Sequence, residues 1–286
     1  MTSDSGGGGL RVRKTYKLYL GGAFPRSESG RSYPVHGADA RLLAHAAQAS
    51  RKDVRDAVVA ARRALPGWSG ATAYNRGQVI YRIAELLDGR REQFEAELTA
   101  AGDDAATVTA TIDRLVWYAG WADKFAQVVG GANPVAGPYF TFSVPEPTGV
   151  VAVIAPQDSS LLGLSSVLAP VITTGNTAVI VASQDRPLPA VSLAEVLATS
   201  DLPGGVVNIL TGYTAELAPW LASHRDVNAI DLTGVEPAER APLQRAAAGN
   251  VKRVYLPRHA DWPAEPGLGR LSAFVETKTV WHPIGV

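Results

Sequence analysis

Residues 149–212 read GVVAVIAPQDSSLLGLSSVLAPVITTGNTAVIVASQDRPLPAVSLAEVLATSDLPGGVVNILTG, and they decide the fold. Two runs within them, GVVAVIA (149–155) and NTAVIVA (176–182), are short, β-branched and apolar throughout. Such runs are buried on both faces of a parallel sheet. The apolar segment between them is closed by Gly175-Asn176, a helix stop. A second helical segment and a third apolar run complete strand–helix–strand–helix–strand. In units of this kind ligands lie at the C-terminal ends of the strands.

Working outward, 286 residues suffice to bury a sizeable core in one or two domains. The chain is 46% hydrophobic and 19% charged, with no apolar run long enough to span a bilayer, so a soluble cytoplasmic protein is expected. Lys plus Arg equals Asp plus Glu, which gives no electrostatic reason to expect nucleic acid or an acidic membrane as partner. Residues 1–14, MTSDSGGGGLRVRK, lack an apolar core and are expected to form a tail, not a signal peptide. There are no cysteines, which excludes disulfides, thiolate metal sites and a cysteine nucleophile within this chain.

Residues 15–35 predict two short strands around a turn containing Gly22, with a second turn at Ser27–Gly30. A phosphate cradle is disfavoured there because no helix follows the glycines. Ser50 and Asp53 predict a helix start. Val54, Val58, Ala61 and Leu65 follow at helical spacing up to a stop at Pro66-Gly67. A second helix carries Val79, Ile83, Leu87, Phe94 and Leu98, and a third spans 106–129 with Trp117 and Trp121 on one face. Prolines at both ends of the strand in 131–147 confine it to a sheet edge. Two more strands are predicted in 226–234 and 251–256. Residues 257–270 read as loop, and 271–286, LSAFVETKTVWHPIGV, as a closing strand. The whole predicts about five parallel strands with helices on both faces, an α/β fold.

The motifs GVV-V-I-P, LAP, GNT-V, PL and LP-GVVN-TG, with the helices RKDVRDAVVAARRALPGWS and NRGQVIYRIAELLDGRREQF, resemble the aldehyde dehydrogenase superfamily. The ending VETKTVWHPIG is similar to the degenerate downstream domain of its two-domain members. The resemblance implies a Rossmann-like nucleotide domain over 15–130 and 148–256, an oligomerisation arm at 131–147 and an oligomerisation strand at 271–286. The linker 257–270 then stands where the family has its catalytic domain.

That family needs a cysteine nucleophile, a glutamate base and an asparagine that donates to the oxyanion. By resemblance Pro257 takes the place of the glutamate and Asp158 that of the asparagine, so no catalytic residue is expected. The family's nucleotide contacts are reduced to a vestigial set, Pro156, Ser183, Thr233 and Gly234, with Tyr213 crowding the glycine turn and Glu239 opposing a phosphate. No bound cofactor is expected, with NAD or NADP as the alternative. His36, His45, His224, His259 and His282 lack metal spacing. Asp103-Asp104 and Arg90-Arg91 read as solvated helix-end charges. Ser159-Ser160 lies outside any Gly-x-Ser-x-Gly elbow. The expectation is a pseudoenzyme that pairs with a full-length aldehyde dehydrogenase paralogue in a hetero-oligomer. The alternatives are an NAD(P)-binding module and an enzyme with residual activity.

Overall fold

A computed structural model describes residues 13–257 and 261–285. Five strands form the central sheet: β6 (Val150–Ile154), β7 (Thr177–Val181), β8 (Val207–Leu210), β9 (Ala229–Asp231) and β10 (Arg253–Tyr255). They lie in the order β10-β9-β6-β7-β8 and every pairing is parallel. The chain therefore winds from β6 toward β8, returns across the sheet and continues from β9 to β10. The reversal puts the topological switch point between β6 and β9, where open α/β sheets form their ligand crevice.

β6 is buried at all five positions, and its side chains alternate between two cores. Val150, Ala152 and Ile154 pack against α1 (Arg51–Gly70), α8 (Thr214–Ser223) and α9 (Arg240–Ala248). Val151 and Val153 face the other layer, built from α2 (Ala73–Asp88), α3 (Arg91–Ala101), α4 (Thr107–Trp121), α5 (Phe125–Val129), α6 (Leu162–Thr173) and α7 (Leu188–Leu197). Burial on both sides explains why these strands carry no polar alternation.

Ser50 caps α1 in a reciprocal capping box. It receives the Asp53 N–H, while the Asp53 carboxylate accepts the Ser50 N–H at 2.7 Å. The helix does not stop at Pro66-Gly67, as its sequence suggests, but runs on to Gly70. Trp68 holds the extra turn: it is buried and its indole N–H donates to the Ile172 carbonyl at 3.0 Å. The two longer helices read from sequence are each divided, α2 from α3 at Gly89-Arg90 and α4 from α5 after Trp121. Trp117 and Trp121 do share a face, their rings 5.6 Å apart.

The N-terminal hairpin also differs from expectation. Gly21 and Gly22 make a tight turn at positive φ, closed by reciprocal Leu20–Ala23 hydrogen bonds. The preceding Tyr19, however, bonds with Ile209 at the edge of the central sheet. The regular hairpin lies further on, β2 (Ser32–His36) against β3 (Leu42–Ala47), with β1 (Thr15–Tyr16) parallel to β3 on its other side.

A third sheet stands apart: β4 (Gly131–Asn133), β5 (Tyr139–Pro147) and β11 (Val275–Pro283), in the order β11-β5-β4. β5 is thus its central strand, not an edge. β4 pairs only with Thr141–Ser143, so Pro145 and Pro147 lie where β5 has a single neighbour. Hydrogen bonds from Thr148 N–H to the Phe274 carbonyl and from Ile284 N–H to the Pro138 carbonyl bracket the β5–β11 ladder. They fix which residues bond across it: Glu146 with Glu276, Val144 with Lys278, and so on in steps of two. The two prolines belong to the other set, whose backbone nitrogens point away from β11, so neither costs a ladder bond. Between β10 and β11 the described residues hold one short helix, α10 (Gly269–Ala273), and no second α/β domain.

Candidate functional site

The segments that leave the C-terminal ends of β6, β9 and β10 form a cleft of about 400 Å³ at the switch point. Pro156 and Asp158 enter it from the end of β6, Thr233 and Gly234 from β9, and Pro257 from β10. Five of the six residues singled out from sequence therefore meet in one place. Ser183, beyond β7, is apart from them. It is buried, and its hydroxyl has no hydrogen-bond partner among the described residues.

Gly234 is where the segments after β6 and β9 come closest. A Cβ there would stand 1.8 Å from the Ala155 carbonyl oxygen, and the Gly234 N–H donates to Ile154 at 2.9 Å. Only glycine permits this approach. Gln157 ties the turn after β6 to the turn after β7, donating to the Ala155 carbonyl at 2.7 Å and accepting the Gln184 N–H at 2.9 Å. Asp158 accepts the indole N–H of Trp262 at 3.3 Å, so the segment after β10 roofs the cleft. Glu236 and Arg240 complete its polar lining, and the Arg240 Nε is committed to the Val235 carbonyl at 2.8 Å.

Among the described lining residues two carboxylates, Asp158 and Glu236, share the cleft with one guanidinium, Arg240, a set short of positive charge for the two phosphates of a dinucleotide. The Gln184 N–H, which could donate to a ligand, is taken by Gln157. The glycine turn after β8 is likewise spent on packing: a Cβ on Gly212 would lie 3.3 Å from the Ala49 nitrogen, and the Ala49 N–H donates to Thr211 at 2.8 Å. Tyr213 stacks on Tyr33 with ring centroids 5.5 Å apart, and burial pushes the Tyr33 hydroxyl well above the usual range. Glu239 lies in the 3₁₀ turn Pro237–Glu239 that leads into α9.

Among the described residues no nucleophile with a base stands in the cleft. The Ser159 hydroxyl accepts the Gly163 N–H at 2.9 Å, and the Ser160 hydroxyl bonds with Asp103, so both serines hold the start of α6. None of the four described histidines lines the cleft, and His259 lies outside the described residues. Among the described residues no three His, Cys, Asp or Glu side chains are placed to hold a metal ion.

Beside the cleft lies an ion pair that the sequence reading missed. Asp231, the last residue of β9, is wholly buried and receives Arg270 of α10 at 2.8 Å. The same carboxylate accepts the Thr233 N–H at 2.8 Å, and Arg270 also reaches the Thr233 hydroxyl at 3.2 Å. The charge-bearing D in the otherwise apolar run AIDL was the available signal. Asp103, expected in solvent, is another correction. Its side chain is 8% exposed and pairs with Arg186 while holding the Ser160 N–H at 3.2 Å. Asp104 accepts the Ala106 N–H at 2.9 Å, and Arg90 ties α3 to Glu195 of α7 at 2.6 Å.

A family model described as "Aldehyde dehydrogenase family" matches residues 25–258. Cytosolic aldehyde dehydrogenase 1 of Elephantulus edwardii is 32% identical over 257 residues, which is 86% of this chain and 50% of that protein. Retinal dehydrogenase 2 of Mus musculus is 33% identical over the same share of this chain and 49% of its own length. The chain thus spans about half the length of these curated relatives. Among solved structures, HpcC of Thermus thermophilus superposes with a TM-score of 0.79 at 30% identity, over 84% of this chain and 47% of that one. A Bacillus cereus aldehyde dehydrogenase solved as its NAD+ complex gives 0.76 at 26% identity, over 84% and 50%.

Proposed function

Since the chain belongs to the aldehyde dehydrogenase family, we propose that it is a non-catalytic member, a structural or regulatory subunit that assembles with a full-length NAD(P)-dependent aldehyde dehydrogenase. The observation that carries the reading is β11. It is paired with β5 along nine residues on one side, and among the described residues no strand covers the other. An open edge of that length is a template for another chain. The aromatic residues around it are exposed as well: Trp281 by 58%, Phe140 by 50% and Tyr139 by 43%.

The cleft supports the non-catalytic half of the proposal. Asp158 would oppose a developing oxyanion instead of donating to it, and Pro257 offers no proton acceptor. Among the described residues no further sheet lies between β10 and β11, so two copies lack the surface needed for reciprocal strand exchange of the isologous kind. A full-length relative supplies it.

Native mass spectrometry of the chain purified gently from its source tests this. A stable complex with a full-length aldehyde dehydrogenase is the expected result. A clean monomer, or a self-assembled species carrying NAD, overturns it. The second reading, a nucleotide-binding module, is favoured by one observation, the unpartnered buried hydroxyl of Ser183 at the end of β7.

A further inference from the structure

The segment after β10 closes a second, smaller cavity of about 240 Å³ against α4 and α6. Its depth is set by Arg114, which is only 7% exposed. The guanidinium is fixed by three neutral acceptors: the Ser166 hydroxyl at 2.6 Å, and the Trp262 and Ala264 carbonyls at 2.7 and 2.8 Å. No carboxylate pairs with it among the described residues, where the titratable groups that act on it are Tyr118 and Arg270. A buried guanidinium keeps its charge, and a buried charge without a counter-charge is unfavourable.

Arg270 lines the same cavity, its charge answered by Asp231, with its guanidinium 4.8 Å from the Tyr255 ring centroid and 5.7 Å from that of Trp262. Tyr118 forms part of the wall. It is 1% exposed, and its hydroxyl makes no hydrogen bond among the described residues. Burial pushes that hydroxyl up to about 12, so it is a proton donor at neutral pH. Asp261 and Glu265 also line the cavity, but both are exposed and screened by solvent.

We infer that this cavity binds a small organic monocarboxylate, its carboxylate held by Arg114 and the Tyr118 hydroxyl and its flat apolar body lying against Tyr255 and Trp262. One uncompensated positive charge calls for one negative charge. Nη2 spends both its hydrogens on the Trp262 and Ala264 carbonyls and Nη1 one on Ser166. Two guanidinium N–H groups remain, and with the Tyr118 hydroxyl they can serve the oxygens of a carboxylate. A dianionic phosphate would leave excess negative charge beside Asp231. The cavity lies below the ~300–1,000 Å³ of sites that hold drug-sized ligands, which limits the acid to about the size of benzoate. The inference concerns a different cavity from the cleft and does not rest on the assembly proposed above.

The test is saturation-transfer NMR and thermal unfolding of the full chain with sodium benzoate, and separately with inorganic phosphate, at constant ionic strength. Benzoate is expected to bind saturably and raise the melting temperature, with phosphate having no effect. Tyr118→Phe removes only the hydroxyl and should weaken benzoate by about tenfold, the size of one charge-assisted hydrogen bond. Arg114→Lys, which keeps the charge but loses the planar guanidinium and the contacts that fix it, should weaken it at least as much. Three results overturn the inference: no saturable binding up to about 10 mM, binding that neither variant weakens, or a preference for phosphate.

Discussion

Asp231 and Arg270 show how little of a buried polar contact can be seen from one of its partners. The carboxylate ends a strand and the guanidinium comes from a short helix in what reads as loop. The two lie 39 residues apart, at neither helical nor strand spacing from each other. Removing the cation leaves a fully buried carboxylate without its counter-charge, so Arg270→Met should cost about 3–5 kcal/mol in urea unfolding. An unchanged midpoint would show that water reaches Asp231. Asp103 and Arg186 teach the same lesson, since their pairing spans 83 residues. By contrast, Pro156, Asp158, Thr233, Gly234 and Pro257 were legible as neighbours, because each follows a recognisable strand and parallel strands end on the same side of a sheet.

Glu97 carries a pH dependence of its own. Burial raises its pKa above the ordinary glutamate value. Its Oε1 accepts from Ser192 at 2.8 Å and Gln93 at 3.1 Å, while Oε2 is buried without a partner. Glu195 nearby raises the pKa further, and Lys14 and the two hydrogen bonds lower it. The folded state therefore holds this proton more tightly than the unfolded chain. Stability from this group is full below the unfolded pKa of about 4.3 and is lost as pH rises through the higher folded value. Glu97→Gln should thus stabilise the protein at pH 7, with the gain vanishing below about pH 4. Urea midpoints at the two pH values check it, and a loss at pH 7 would contradict the assignment.

At the scale of elements, local chemistry and long-range packing divide the credit. The start of α1 was readable because both halves of its capping box lie within four residues. Its end was not, because the residue that carries the helix past Pro66 is Trp68, held by a carbonyl of α6. The divided helices escaped for a related reason: an apolar face that continues across a break looks the same as one that does not. In the third sheet, the ladder parity makes a sharp prediction. The N–H groups of Thr277, Thr279 and Trp281 face the open side of β11, whereas that of Lys278 faces β5. Thr279→Pro should leave the isolated chain within about 1 kcal/mol of wild type yet weaken capture of the full-length partner by about tenfold or more. Lys278→Pro should instead destabilise the chain itself. Equal effects of the two on capture and on chemical unfolding would argue against docking through this edge.

For the whole molecule, the sequence was most informative where burial is most complete. The central strands are apolar because both faces are covered, so their number and parallel arrangement could be read directly. Their lateral order could not, since β6 lies beside β9 through contacts that no local pattern announces. The pairing of β5 with β11 has a similar origin and a further consequence, which concerns time. Ser143 and Thr279, whose hydroxyls meet at 2.8 Å across that ladder, are 136 residues apart in the chain. At about 5–20 residues per second, β5 leaves the ribosome roughly 7–27 s before the strand that completes it. Non-local strand pairing in folding domains takes on the order of milliseconds to seconds, so translation and not folding sets how long Tyr139, Phe140 and Phe142 wait beside an unfilled edge.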